Sequence, residues 1–244
     1  MTSLTLLVFG AAAFVLGGFI KGTLGVGLPL VAVPLLSLAL PGHQAIGLMV
    51  IPVLASNTWQ AWETKVPAHA LRRFVPLIAT MVVSTLLTVQ MTLALPDQAI
   101  GRMIAIAVLI AVVLMVWQPR LDVTPRSERR WGAGVGLASG MLGGVSSLTG
   151  PLIVSYLMAL RLPRDRFVGC ISVIYLCAAI PLYAAMAWHG RIGSAELGLS
   201  AFALVPMGCG LWLGRALRHR LSESGFRRLM LAFLGAVAVA LLFK

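Results

Sequence analysis

Long apolar stretches separated by short polar turns dominate this chain. Runs of up to about 20 apolar residues, the length a helix needs to cross a bilayer core of about 30 Å, recur along it. They fall at about 4–20, 28–41, 43–62, 74–95, 98–117, 131–145, 148–160, 167–189, 195–215 and 226–243. Each predicts a helix, because a backbone in lipid must satisfy its own hydrogen bonds. The first two and the sixth and seventh are shorter than the rest, or joined by almost no loop. Each of these pairs reads either as two tilted spans or as a re-entrant hairpin of part-length helices. The pattern therefore predicts an all-α polytopic membrane protein with about 8–10 transmembrane segments. Pro52, Pro76, Pro181 and Pro206 lie inside predicted helices, where membrane proteins tolerate proline, usually with a kink.

Two Gly/Pro-rich breaks interrupt this pattern at matching places. The first runs from Gly22 through Gly25 and Gly27 to Pro29, and the second from Gly140 through Gly143, Gly144 and Gly150 to Pro151. Gly18-Phe-Ile-Lys21-Gly22-Thr-Leu-Gly25 aligns with Gly136-Leu-Ala-Ser139-Gly140-Met-Leu-Gly143. Pro29-Leu-Val then aligns with Pro151-Leu-Ile, with four extra residues in the second half. Each half is one broken pair followed by three long spans. Five crossings reverse the polarity of the second half, which predicts inverted repeats at 1–122 and 123–244 within one integral membrane domain. Matched helix breaks of this kind point to a transport site.

Composition strengthens the membrane reading. Of 244 residues, 59% are hydrophobic and 11% charged, against about 25% charged in soluble domains. The net charge of +12 has a topological origin. Lys21 and the loops at 63–73, 118–130, 161–166 and 215–228 hold 16 of the 19 Lys and Arg residues. Basic loops stay in the cytoplasm, so both termini are expected outside. Nucleic acid is not an expected partner, since the charges sit in short inter-helix loops. The six Trp residues lie near segment ends, as interfacial rings do; Trp62 reads as an anchor, and Trp59 is left open.

The breaks carry the candidate chemistry. Glycine permits positive φ, and the proline after it suits the first turn of a new helix. The exposed N–H groups of that turn favour an anion. Thr23, Ser146, Ser147 and Thr149 add hydroxyls at the same places. Close helix packing through small residues is the alternative; two matched breaks with hydroxyls favour a binding site for an oxyanion. None of the seven acidic residues lies mid-segment, which argues against a carboxylate relay. Lys21, the basic residue beside a break, could bind the anion or snorkel to the cytoplasmic surface. Asn57 and Gln60 share a helix face and could bond either another helix or the substrate. The expected substrate-binding set is Lys21, Gly22, Thr23, Gly25, Gly27, Asn57, Gln60, Gly143, Gly144, Ser146, Ser147, Thr149 and Gly150. Tyr175, the deepest tyrosine, reads as core or lipid-facing, and Ser84, Thr85 and Thr88 as bonded to their own helix.

Other chemistries lack their residues. Cys170, Cys177 and Cys209 lie inside apolar spans without metal-ligand spacing, and the four histidines form no HExxH pair. The glycines at 22–27 follow no strand, so the dinucleotide fingerprint fails, and no P-loop is present. No metal or cofactor is expected. A basic n-region is missing, so a cleaved signal peptide is not expected. The reading is a secondary transporter rather than an enzyme, with an anion channel or, further off, a membrane-embedded enzyme as alternatives.

Gly18 to Pro34 closely resembles the first signature of the TauE/SafE sulfite exporter family, and Gly140 to Pro151 its second. The resemblance covers nearly the whole chain. The second signature is usually richer in glycine than Val145-Ser-Ser-Leu-Thr149 is here. The resemblance implies a bacterial inner-membrane carrier for a small sulfur-containing anion, of the sulfite or organosulfonate class; for two inverted halves, alternating access is expected from one half rocking against the other. Both termini would then be periplasmic. The expected partners are the anion and the lipid bilayer, with a coupling ion (H+ or Na+) and a homo-oligomer left open.

Overall fold

The computed structural model describes residues 3–117, 123–124, 126–217 and 223–243. Among these the secondary structure is entirely helical. In chain order the elements are α1 (Ser3–Leu24), α2 (Leu28–Ala39), α3 (Gly42–Gly47), α4 (Val50–Thr64), α5 (Ala68–Leu71) and a 3-10 turn (Arg72–Phe74). Then follow α6 (Val75–Leu93), α7 (Asp97–Trp117), α8 (Glu128–Ser146), α9 (Gly150–Ala159), α10 (Arg164–Trp188), α11 (Ser194–Phe202), α12 (Leu204–Leu217) and α13 (Glu223–Leu242). The expected boundary between repeats, at 122, lies outside the described residues.

Among the described residues five helical stretches are long and apolar enough to cross a membrane, at Leu4–Leu24, Arg72–Leu93, Asp97–Trp117, Asp165–Trp188 and Ser194–Leu217. Large apolar side chains such as Leu4, Met91, Val116, Phe202 and Leu229 are exposed around the outside, a surface that only lipid can cover at this extent. The protein is a multi-pass membrane protein.

The broken pairs are asymmetric, each a long helix with a short one. With a rise of about 1.5 Å per residue, the 12 residues of α2 span about 18 Å and the 10 of α9 about 15 Å. Neither crosses a core of about 30 Å. Their partners are nearly full length: α1 has 22 residues and α8 has 19. The sequence pattern expected all four to be short or closely joined; α2 and α9 are short, whereas α1 and α8 run further than expected. Gly22, Gly140 and Gly144 lie within helices, at helix crossings.

Two such crossings organise the bundle. On α1, Gly18 and Gly22 face the carbonyls of Met207 and Leu211 on α12, while Gly210 and Gly214 of α12 face the carbonyls of Val15 and Phe19. On α8, Gly136 and Gly140 face the carbonyls of Leu77 and Met81 on α6, and Gly144 that of Thr85. A Cβ at any of these positions would strike a backbone carbonyl, so only glycine allows this approach. Thr80 Oγ1 donates across the second crossing to the Ala133 carbonyl at 2.9 Å. Thr85 does likewise to the Gly140 carbonyl at 3.3 Å, instead of bonding only its own helix as expected.

The main interfaces pair α1 with α12, α6 with α8, α4 with α10 and α7 with α13. Every one joins the first half of the chain to the second. The halves are interleaved, and the two breaks lie inside the resulting bundle.

Candidate functional site

At the first break α1 stops at Leu24. Gly25 adopts φ 82° and Gly27 φ 104°, in the left-handed region where L side chains are strained. The Gly25 N–H bonds back to the Lys21 carbonyl at 2.8 Å. Gly27 then leads into α2, with Pro29 in its first turn.

The second break makes the same turn with different residues. Here Ser147, at φ 60°, ends α8, and its N–H bonds back to the Gly143 carbonyl at 2.7 Å. Gly150 and Pro151 open α9. By backbone role Ser147, not Gly143, answers to Gly25. The four extra residues of the second half add one more turn to the helix before its break. Gly143 and Gly150 therefore lack the positive φ expected of them. Each is small for a contact: a Cβ at Gly143 would meet the Thr149 methyl, and one at Gly150 would come within 2.8 Å of the Tyr175 hydroxyl.

A cavity of about 850 Å³ lies between the breaks. Seven of the expected residues line it: Lys21, Gly27, Asn57, Gly143, Ser147, Thr149 and Gly150. Most of the remaining wall is apolar, including Leu24, Phe167, Met158 and Met230, and Arg161 also contributes.

The polar cluster sits at the first break. Lys21 is 3% exposed and its Nζ donates to Asn57 Oδ1 at 2.6 Å. It does not snorkel. Asn57 Nδ2 donates to the Val53 carbonyl of its own helix at 2.9 Å, which turns the amide oxygen toward the lysine. No carboxylate pairs with Lys21 among the described residues; the ion pairs are His43–Asp97, Arg73–Glu128 and Arg215–Glu63.

The other expected residues stand behind the cavity wall. Gln60 Nε2 donates to the Gly25 carbonyl at 3.3 Å, tying α4 to the first break. The Ser172 hydroxyl lies 3.2 Å from Gln60 Oε1 and 2.7 Å from the Val168 carbonyl, so α10 joins the same network. Gly25 takes part through that carbonyl. Gly22 and Gly144 pack at the helix crossings. Thr23 bonds the Phe19 and Ile20 carbonyls, and Ser146 the Leu142 carbonyl. Their hydroxyls stay on their own helices.

The sequence model of the family described as sulfite exporter TauE/SafE matches residues 9–241. The chain belongs to the sulfite exporter TauE/SafE family. The match takes in both breaks and both glycine crossings, nearly the whole length of the fold. No curated protein and no solved structure matches the chain. As a TauE/SafE member it is a membrane transport protein, which agrees with a cavity walled by helix breaks.

Two residues of this TauE/SafE cavity region escaped the sequence reading. Tyr183 Oη lies 3.3 Å from Ser147 Oγ, and Tyr175 packs in the buried core, as expected, but also lines the cavity. Both sit on α10, eight residues apart, hence on similar faces. That spacing was the available signal, but nothing in an apolar helix says which face meets the breaks.

Proposed function

We propose that this protein is a secondary carrier that moves a small sulfur-containing anion, of the sulfite or organosulfonate class, across the bacterial inner membrane by alternating access. One observation carries this reading: a buried lysine without a carboxylate partner faces a cavity bounded by both helix breaks. An isolated buried cation is costly, and an anion in the cavity would offset that cost. Asn57 would orient the Lys21 ammonium. The exposed N–H groups opening α2 and α9, with Ser147 and Thr149, would supply the remaining donors.

The pairing of helices supports inverted repeats. Exchange α1 with α8 and α6 with α12, and the two glycine crossings exchange places, while the α4–α10 and α7–α13 pairs map onto themselves. Interleaving also bears on motion, because sequence halves so joined cannot rock as separate bodies. The two carbonyl-tight crossings are the natural rigid units, moving about α4 and α10. The basic loops support periplasmic termini.

The test is flux in proteoliposomes with sulfite, sulfate, thiosulfate and sulfoacetate. The carrier reading expects uptake that saturates, is accelerated by the same anion loaded on the far side, and responds to an imposed H+ or Na+ gradient. Flux that rises linearly with sulfite and ignores the far side would make the protein a channel. The absence of flux for every anion tested would remove the reading.

A further inference from the structure

The geometry assigns Tyr175 to the anion-binding site, as a hydroxyl donor held over the first turn of α9. This assignment rests on the proposed function and names a residue that function did not require. Tyr175 is 9% exposed, lines the cavity, and its hydroxyl has no hydrogen-bond partner among the described residues.

The neighbours show where that hydroxyl points. A Cβ on Gly150 would lie 2.8 Å from it, so it sits against the first residue of α9. The opening N–H groups of a helix have no partners within the helix. Thr149, which precedes Gly150, makes no capping bond either. The hydroxyl and the free helix end thus converge on one place, and both lack what an oxyanion supplies, namely acceptor oxygens.

Tyr183 is the control within the same helix. Its hydroxyl is buried too, but it meets Ser147 Oγ at the other end of the break. One tyrosine of α10 closes a contact inside the protein, and the other lines the cavity with its hydroxyl buried against the start of α9 and unpaired among the described residues. A buried hydroxyl is normally bonded, because leaving it unpaired is unfavourable. A site that waits for its ligand gives Tyr175 a reason to stay unpaired. Lys21 would then hold the anion from the side of the first break, and Tyr175 from the side of the second.

The test compares wild type, Tyr175→Phe and Tyr183→Phe as full-length protein in detergent, with thermal unfolding followed across titrations of sulfite and, separately, methanesulfonate. For Tyr175→Phe the expected midpoint without anion equals or exceeds that of wild type, since an unpaired hydroxyl is removed. The anion concentration giving half the stabilisation should rise by about tenfold or more. Tyr183→Phe should show the reverse balance, a lower midpoint without anion and a smaller change in the half-effect concentration. Unchanged anion dependence in Tyr175→Phe, with wild type responding normally, overturns the assignment and leaves the carrier reading standing. A wild type that responds to neither anion overturns both. If Tyr175→Phe does not accumulate, Gly150→Ala displaces the hydroxyl and should raise the half-effect concentration similarly; an unchanged value there also overturns the assignment.

Discussion

The two breaks make the same turn with different chemistry. In each, a residue with positive φ follows a helix, and its N–H bonds back to the carbonyl four residues earlier. The first break uses Gly25 and carries the charge, with Lys21 and Asn57 joined at 2.6 Å and Gln60 holding the turn from α4. The second uses Ser147 and carries only neutral hydroxyls, with Tyr183 against Ser147 and Tyr175 beside Gly150. The position aligned with Lys21 is Ser139, fully buried and without a partner for its hydroxyl among the described residues. A repeated backbone device therefore leaves room for one cation in the pair. Among the described residues Lys21 and Arg161 are the cationic residues lining the cavity, and with several neutral donors they suit a small anion.

The largest effect should fall outside both breaks, at the crossings that hold them apart. Gly18→Ala and Gly136→Ala would each drive a methyl into a backbone carbonyl, of Met207 and Leu77 respectively. Each should lose about 3 kcal/mol, the upper end for overpacking, or more. Gly10→Ala meets only a Leu36 side-chain atom at 3.9 Å and should be neutral. Unfolding of purified protein measures all three. If Gly136→Ala alone is tolerated, the two crossings are not equivalent and the proposed symmetry of the repeats fails.

The second effect separates the breaks by charge. Lys21→Met keeps most of the unbranched side chain and removes the ammonium. Anion affinity should fall by about 1.5–3 kcal/mol, the range for a hydrogen bond to a charged group. Stability without anion should hold or rise, because a buried charge without a counter-charge is costly to the folded state. Asn57→Ala should weaken the anion response less, acting by disorienting the lysine. Full sulfite-dependent stabilisation in Lys21→Met would move the site away from the first break.

These contrasts bear on what could be read from the chain. The apolar segments and the two breaks were legible, because hydrophobic length and Gly/Pro punctuation are local signals, although 43–62 holds two helices, α3 and α4, and 195–215 another two, α11 and α12. Helix packing was not. Gly22 and Gly144 looked like parts of the breaks, but they face carbonyls of α12 and α6, and nothing near them in sequence reveals that partner. Thr23 and Ser146 looked like site hydroxyls and instead bond the preceding turn. Lys21, Asn57, Ser147 and Thr149, expected to bind the substrate, line the cavity. Tyr175 was not expected there, since a tyrosine in a long apolar helix carries no mark of the face it uses.

The third effect concerns the turn itself. Gly25→Ala places a Cβ where φ is 82° but space is open, the nearest atom being 3.7 Å away on Val168. It should lose about 1–2 kcal/mol from the left-handed conformation alone. Ser147 already bears that strain at φ 60°. Comparing Ser147→Ala with Ser147→Gly removes the hydroxyl in both and relieves strain only in the second. Glycine should be the more stable by a similar amount. If the two variants melt together, the second break is not held in the conformation described.

The smallest effect is at Thr149, and it separates binding from packing most cleanly. Thr149 occupies the N-cap position of α9 but makes no side-chain cap bond; its methyl faces Gly143 and the residue lines the cavity. A capping threonine would lose about 0.5–2 kcal/mol of stability on replacement by alanine. Here there is no cap bond to lose, so Thr149→Ala should leave the anion-free melting temperature nearly unchanged. If its hydroxyl donates to the anion, affinity should fall by about 0.5–1.5 kcal/mol, and Thr149→Ser should restore it. A lower melting temperature with unaltered sulfite affinity would make Thr149 a packing residue. The neutral half of the site would then reduce to Ser147, Tyr175 and the backbone N–H groups of α9.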